Sequence, residues 1–221
     1  MAYLILVAPT VFEHRVLRRF VAGSETAGAL ETAMCGVGME CAAHFLRRLE
    51  ERTELPRVLA LVGVAGGLDP SLVAGDVVLA SAALDEEGRQ VPCTVLSLPG
   101  ATVGPVITVR RALYTPSEKA AGRSTGALAV EMEAYPLAAW SARRGLSFIH
   151  ARVILDSLDE ALPDLGDVLD EYGRVRPGEL LRHLLERPSR IASLVRLQRA
   201  MQAVAPALGR LAQGIVEAVG R

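Results

Sequence analysis

The chain has 221 residues, 51% of them apolar and 22% charged, with a formal net charge of -1. That is enough apolar material for one large α/β domain, and it excludes a globally disordered chain. A nucleic-acid binder would carry a basic excess, which is missing here. The three cysteines, Cys35, Cys41 and Cys93, are too few and too scattered for a disulfide framework, and they fit a reducing compartment. Cys35, Cys41 and His44 match no common zinc spacing, so no metal site is expected.

The N-terminal run Met1–Ala8 is apolar but too short for a signal peptide and has no basic lead. No apolar run reaches the roughly 18 residues of a spanning helix. A cytoplasmic protein is the expectation.

Tyr3 to Ala8 reads as a buried strand, ended by Pro9-Thr10. A helix is predicted from Glu13 to Ala22, with Val16, Leu17 and Phe20 on one face. Glu13 then sits between a strand end and a helix start. It either serves a ligand, as such places do in open α/β sheets, or complements the helix dipole. A short strand follows at Leu30 to Cys35. The turn Gly36-Val-Gly38 leads into a helix over Met39 to Arg52, with Cys41, Ala42, Phe45, Leu46 and Leu49 on its apolar face. Such a turn exposes N–H groups to an anion or a sugar hydroxyl, or is simply tight. The third glycine of a dinucleotide fingerprint is absent.

Arg57 to Val64 is the next buried strand, closed by Ala65-Gly66-Gly67. The two glycines permit either a close approach or a positive φ. Gly75-Asp76 precedes a strand at Val77 to Ser81. Further strands are predicted at Val91 to Leu96 and Val106 to Val109, and a short helix at Ser117 to Ala121. Leu128 to Val130 is a strand feeding Glu131-Met-Glu133. The helix Glu133 to Arg144 carries Pro136 in its early turns, where proline is tolerated. Leu146 to Leu155 is the last core strand.

Glu131, Glu133, Arg152 and Asp156 lie among apolar residues. Ionised groups lose hydration when buried, so such charges are paired for structure or kept for chemistry. After Asp156 the composition changes. Seven acids and no base lie between Asp156 and Glu171, and nine arginines against three acids follow from Arg174 onward. Helices are predicted near 178–186 and from Ser189. The longer one has Leu194, Met201, Val204, Leu208, Leu211 and Ile215 near one stripe, with Pro206 expected to kink or break it. The stripe suits the domain surface or a neighbouring subunit. An arginine-rich amphipathic helix also suits peripheral association with a membrane.

Several ordered motifs resemble the nucleoside phosphorylase/nucleosidase family, the type that includes purine nucleoside phosphorylase, methylthioadenosine nucleosidase and futalosine hydrolase. They are Glu13 after the first strand, Gly36-Val-Gly-Met-Glu-Cys-Ala-Ala43, Gly63-Val-Ala-Gly-Gly-Leu-Asp-Pro70 with Gly75-Asp-Val-Val78, Val130-Glu-Met-Glu-Ala134, and Arg152 with Asp156. Glu118-Lys-Ala-Ala121, Thr125–Val130, Leu162-Pro163 and the tail are most similar to the hopanoid-associated phosphorylase group. The resemblance implies a mixed central β-sheet flanked by helices in an α/β domain at residues 1–160, with a helical extension at 161–221.

It also implies an enzyme that cleaves the N-glycosidic bond of a 5'-modified purine nucleoside, adenosyl-hopane-like or methylthioadenosine-like, and releases adenine. Asp156 would be the acid at the purine, and Glu13 would act on water. Glu133 would bind the ribose, Met132 would pack on it, Arg152 would hold a carboxylate or an anion, and Val64, Ala65 and Gly66 would line the pocket. No cofactor is implied, except inorganic phosphate as co-substrate if the reaction is phosphorolysis. The resemblance suggests a homo-oligomer.

Three features depart from the family pattern. Leu155 stands where a serine commonly supports the acid, Val64 stands at a commonly polar position, and Pro9 to Arg15 lacks the glycine-arginine pattern of the strongly phosphate-binding forms. Three alternatives therefore stay open beside hydrolysis: phosphorolysis, a catalytically impaired purine-binding protein, and a purely structural ion-pair network.

Overall fold

The computed structural model describes residues 3–23, 29–163, 168–179 and 191–220. A short apolar run starts the sheet. β1 (Leu4–Ala8) is buried at every position. Its parallel neighbours are β2 (Leu30–Met34) and β3 (Val58–Gly67). β8 (Ser147–Asp156) lies parallel on the other side of β3. Parallel strands buried on both faces read as continuous apolar sequence, as β1 and β3 do; β2 is half-buried throughout and carries Glu31 and Thr32.

Alternation then sorts the side chains. Leu4, Leu6, Ala60, Val62, Ile149, Ala151 and Val153 face one layer, with Leu17 and Val21 of α1 (Val11–Val21). Ile5, Val7, Leu59, Leu61 and Phe148 face the other layer. That layer holds Phe45, Leu46 and Leu49 of α2 (Met39–Glu50), and Leu137, Ala138 and Trp140 of α4 (Ala134–Arg143).

The sheet also closes on itself. β8 pairs antiparallel with β4 (Val77–Leu84), and β4 pairs parallel with β6 (Ala101–Thr108). β6 pairs with β7 (Ala129–Glu131), and β7 returns antiparallel to β3. β5 (Gln90–Pro92) lies on β4. At Gly66, β3 is flanked by Val130 of β7 and Asp156 of β8. The acidic pair and the last strand's aspartate thus meet at one strand end, although they are far apart in sequence. Single-domain α/β architecture with a mixed, helix-flanked sheet is the expected fold class.

Several predicted elements shift. The strand expected over Val91 to Leu96 ends at Pro92; Cys93 N still donates to the Ser81 carbonyl, but Thr94 N turns to the Phe148 carbonyl of β8. β6 starts at Ala101, well before Val106. Gly104-Pro105 reads as a breaker, but the register with β4 slips between Ala80 and Ala83, where Pro105 would otherwise have to donate.

α3 (Pro116–Arg123) is longer than predicted, and a Thr115/Glu118 capping box fixes its start. The helix expected over 178–186 lies mostly outside the described residues. α5 (Ile191–Val219) runs unbroken through Pro206, contrary to the expected break. Pro206 is exposed, so water can serve the carbonyl its missing N–H leaves free, while Val204 and Leu208 anchor the helix on either side.

The apolar stripe of α5 is spent on the sheet. Val204, Leu208, Leu211, Ala212 and Ile215 are buried in the same cluster as β1, β3, β8 and α1. No described helix is long and apolar enough to cross a membrane. α5 crosses α1 closely because position 209 is glycine: a Cβ there would run into the Phe20 ring. Gln213 Nε2 then donates to the Phe20 carbonyl at 2.9 Å, at the end of α1. Gly209→Ala should cost about 1–3 kcal/mol by overpacking, read as a lower urea midpoint. Combined with Phe20→Ala, its additional cost should shrink, because the ring is what it meets.

Candidate active site

The C-terminal ends of the parallel strands β1, β3 and β8 converge on one side, where ligands of α/β sheets gather. A cavity of about 200 Å³ opens there. All eight residues predicted for the site line it: Glu13, Val64, Ala65, Gly66, Met132, Glu133, Arg152 and Asp156. Glu131, Leu113, Leu155 and Leu162 complete much of the wall.

Glu13 is held from both sides of the β1–α1 junction. Thr10 caps α1, and Glu13 Oε2 accepts from Thr10 N at 2.9 Å and Thr10 Oγ1 at 2.6 Å. Its Oε1 accepts from Val64 N at 2.8 Å, so it bridges α1 to β3. The dipole and ligand readings of Glu13 are therefore compatible, since it sits in the first helical turn and on the cavity wall.

Arg152 is buried at the centre. Its Nη2 donates to Glu131 Oε2, and to Glu133 Oε2 at 3.2 Å. Its Nε donates to His150 Nε2 at 2.9 Å and its Nη1 to the Val64 carbonyl at 3.3 Å. This answers what Arg152 holds: two carboxylates of its own chain. Glu131 also accepts from Thr108 Oγ1 and from the N–H groups of Glu133 and Ala134. It caps α4, a structural partner set that sequence left unknown. Glu133 Oε1 accepts from Gly38 N at 2.8 Å. The Gly36-Val-Gly38 turn therefore gives this donor to a carboxylate of the protein.

Burial pushes both carboxyls up. For Glu131 the Arg152 guanidinium and several hydrogen bonds outweigh burial and hold it below the usual range. For Glu133 burial and then the neighbouring Glu131 charge prevail, raising it to about 8. One guanidinium cannot fully compensate two carboxylates. Burial takes His150 down to about 3, so it stays neutral and accepts from Arg152.

Asp156 sits on the opposite flank of β3. Gly67 makes room for its backbone, since a Cβ there would lie 3.2 Å from the Asp156 carbonyl, while a Cβ on Gly66 would lie 3.2 Å from Val130 Cγ1. Neither glycine has a positive φ, so close approach is their reason. Burial raises the Asp156 carboxyl, and its pairing with Lys119 only partly opposes this.

Lys119 of α3 is a buried neighbour of Asp156 to which sequence reasoning gave no role. It pairs with Asp156 Oδ2. Its signal was its rarity: it is the chain's only lysine. Among the described residues, no group of three or more His, Cys, Asp or Glu side chains is placed to hold a metal ion.

These features define an α/β domain with a small-molecule cavity walled by two separately tuned carboxyls, Glu133 and Asp156. The sequence model of the phosphorylase superfamily matches residues 6–97. No curated protein matches at a significant level. Among solved structures, the chain is similar to the 5'-methylthioadenosine/S-adenosylhomocysteine nucleosidase of Helicobacter pylori with butyl-thio-DADMe-Immucillin-A. The TM-score is 0.73 at 12% identity, covering 98% of each chain. The corresponding enzyme of Neisseria meningitidis, in complex with methylthio-immucillin-A, gives 0.70 at 16% identity, covering 98% of this chain and 100% of that one. Futalosine hydrolase of Helicobacter pylori strain 26695 gives 0.71 at 12% identity, covering 97% of each. At such identities the structural likeness shows a shared fold. Together with the superfamily match, it supports the resemblance to the nucleoside phosphorylase/nucleosidase family.

The charge balance predicts a pH dependence. A carboxyl raised by folding binds its proton more tightly in the native state. Its stabilisation is complete below the ordinary glutamate value of 4.5 and is lost as pH rises through about 8. Glu133→Gln mimics the protonated form. It should flatten this loss by about one proton's worth of slope in unfolding free energy against pH, measured by urea titrations across that range.

Proposed function

We propose that the protein hydrolyses the N-glycosidic bond of a 5'-modified purine nucleoside and releases adenine. The observation that carries this reading is the pairing of Glu133 and Asp156 across one cavity, with Glu13 on the same wall. Cleaving such a bond requires a proton for the departing base and stabilisation of a cationic sugar. Asp156, whose carboxyl burial raises, is the group placed to give a proton to purine N7. Glu133 accepts from the ribose hydroxyls, and Met132 packs on the sugar. Glu13 orients a water and takes its proton as the oxygen bonds to C1', while the base leaves with the proton from Asp156. Both groups then re-equilibrate with solvent.

Hydrolysis is favoured over phosphorolysis by the lack of a free cation on the wall. Arg152 is the only Lys or Arg among the described lining residues. Every nitrogen of that guanidinium already donates to Glu131, Glu133, His150 or Val64. A phosphate dianion would find no uncommitted cation among the described lining residues.

The apolar part of the wall, Val109, Leu113, Leu155 and Leu162, suits an uncharged 5' substituent. Methylthioadenosine and adenosyl-hopane, the latter from the resemblance to the hopanoid-associated group, both carry one.

Purified protein incubated with a panel of 5'-modified adenosines should release adenine and free sugar without added phosphate. Strict phosphate dependence with a sugar 1-phosphate product would replace hydrolysis by phosphorolysis. Asp156→Asn should lower kcat by about 10²–10⁴-fold. A variant that alters only purine affinity, in a protein that cleaves nothing, would leave a binding protein instead.

A further inference from the structure

Lys119 is the only lysine among the chain's 24 Lys and Arg residues, and it is fully buried. An ammonium group has three N–H donors. All three are used: on Asp156 Oδ2, on the Ser157 carbonyl at 2.6 Å and on the Glu160 carbonyl at 2.7 Å. The Glu160 carboxylate in turn accepts from Ser157 N at 2.9 Å, which closes the 157–160 turn under the ammonium. One side chain therefore ties the acid, the end of β8 and the following turn to α3. With Oδ2 engaged, Oδ1 is the oxygen left for a ligand.

We propose that Lys119 is a positioning residue for glycosidic cleavage, clamping Asp156 through Oδ2 so that Oδ1 meets the departing purine. This rests on the assignment of Asp156 as the acid. A lysine suits the task in a chain that otherwise uses arginine. A compact ammonium can satisfy a carboxylate and two carbonyls around one point, whereas a planar guanidinium needs a wider, forked site.

The clamp also bears on the pH range of the acid. Lys119 and Glu160 are the charged groups that act on Asp156 beside its burial, Lys119 lowering and Glu160 raising it. Glu13, Glu131, Glu133 and Arg152 face it across the cavity. Without the ammonium, Asp156 would keep its proton to higher pH.

Two experiments test the clamp, one on a variant and one on the unaltered protein. Lys119→Met should lower kcat by about 10²-fold through misplacement of the acid, with KM little changed. The alkaline limb of the kcat profile should move to higher pH. A lysine that is merely structural would change the yield of folded protein and leave that limb in place.

The second experiment does not depend on the variant folding. Wild-type protein labelled with ¹³Cε-lysine carries a single labelled side chain. Its resonance should move across the alkaline limb as a reporter of the neighbouring Asp156 carboxyl, and shift when adenine is added. A resonance insensitive to both overturns the proposal. So does a wild-type enzyme that cleaves nucleosides while K119M matches it in kcat and pH profile. A wild-type protein that cleaves nothing overturns the hydrolase reading and this step together.

Discussion

The Arg152 guanidinium, buried between Glu131 and Glu133, holds the two halves of the site in one arrangement. It rises from β8 and crosses under the end of β3 to reach the β7–α4 junction. The crossing is possible only because position 63 lacks a side chain. A Cβ there would sit 2.5 Å from Arg152 Nη1 and 2.6 Å from Glu13 Oε1. Gly63 thus makes room for the guanidinium and for the carboxylate that spans α1 and β3. Removing one partner of such a buried pair typically costs about 3–5 kcal/mol, because the remaining charge stays buried without compensation. The structural and chemical readings of these charges are therefore not exclusive. Glu131 and Arg152 are committed to the framework, and that commitment leaves Glu133 short of positive charge.

Glu133 and Asp156, two of the three carboxyls assigned to chemistry, are tuned by different surroundings. Glu133 is raised by burial and by a neighbour of its own sign, while it still accepts from Gly38 and Arg152. Asp156 is raised by burial against the pull of a full ammonium. Both carboxyls are thus raised, one beside a like charge and the other beside an ammonium. The position the resemblance expects to hold a serine beside the acid is Leu155, a buried residue of the core cluster. A lysine from another element pairs with the acid.

Much of the framework was legible because it obeys short-range rules. β1 and β3 are continuous apolar runs, β8 is one interrupted by His150 and Arg152, and α2 shows a helical stripe, so their existence followed from periodicity. The eight expected site residues came from motif order, and they share one cavity. What escaped was long-range or compensated. Lys119 meets Asp156 from 37 positions away, and no local pattern marks that contact. The start of β6 was hidden by Gly104-Pro105, whose missing donor is absorbed by a register slip. Pro206 carries a breaker's signal, yet tertiary packing on both sides outweighs it. Gly63 read as part of a buried strand and of a family motif, while its reason is a guanidinium supplied by β8.

The most direct check is an experimental structure with a non-cleavable purine nucleoside analogue bound. The account places the base with N7 within about 2.6–3.2 Å of Asp156 Oδ1, and the ribose hydroxyls on the Glu133 carboxylate. A nucleoside bound in the reverse orientation, or outside the Glu133–Asp156 cavity at saturating concentration, would contradict it.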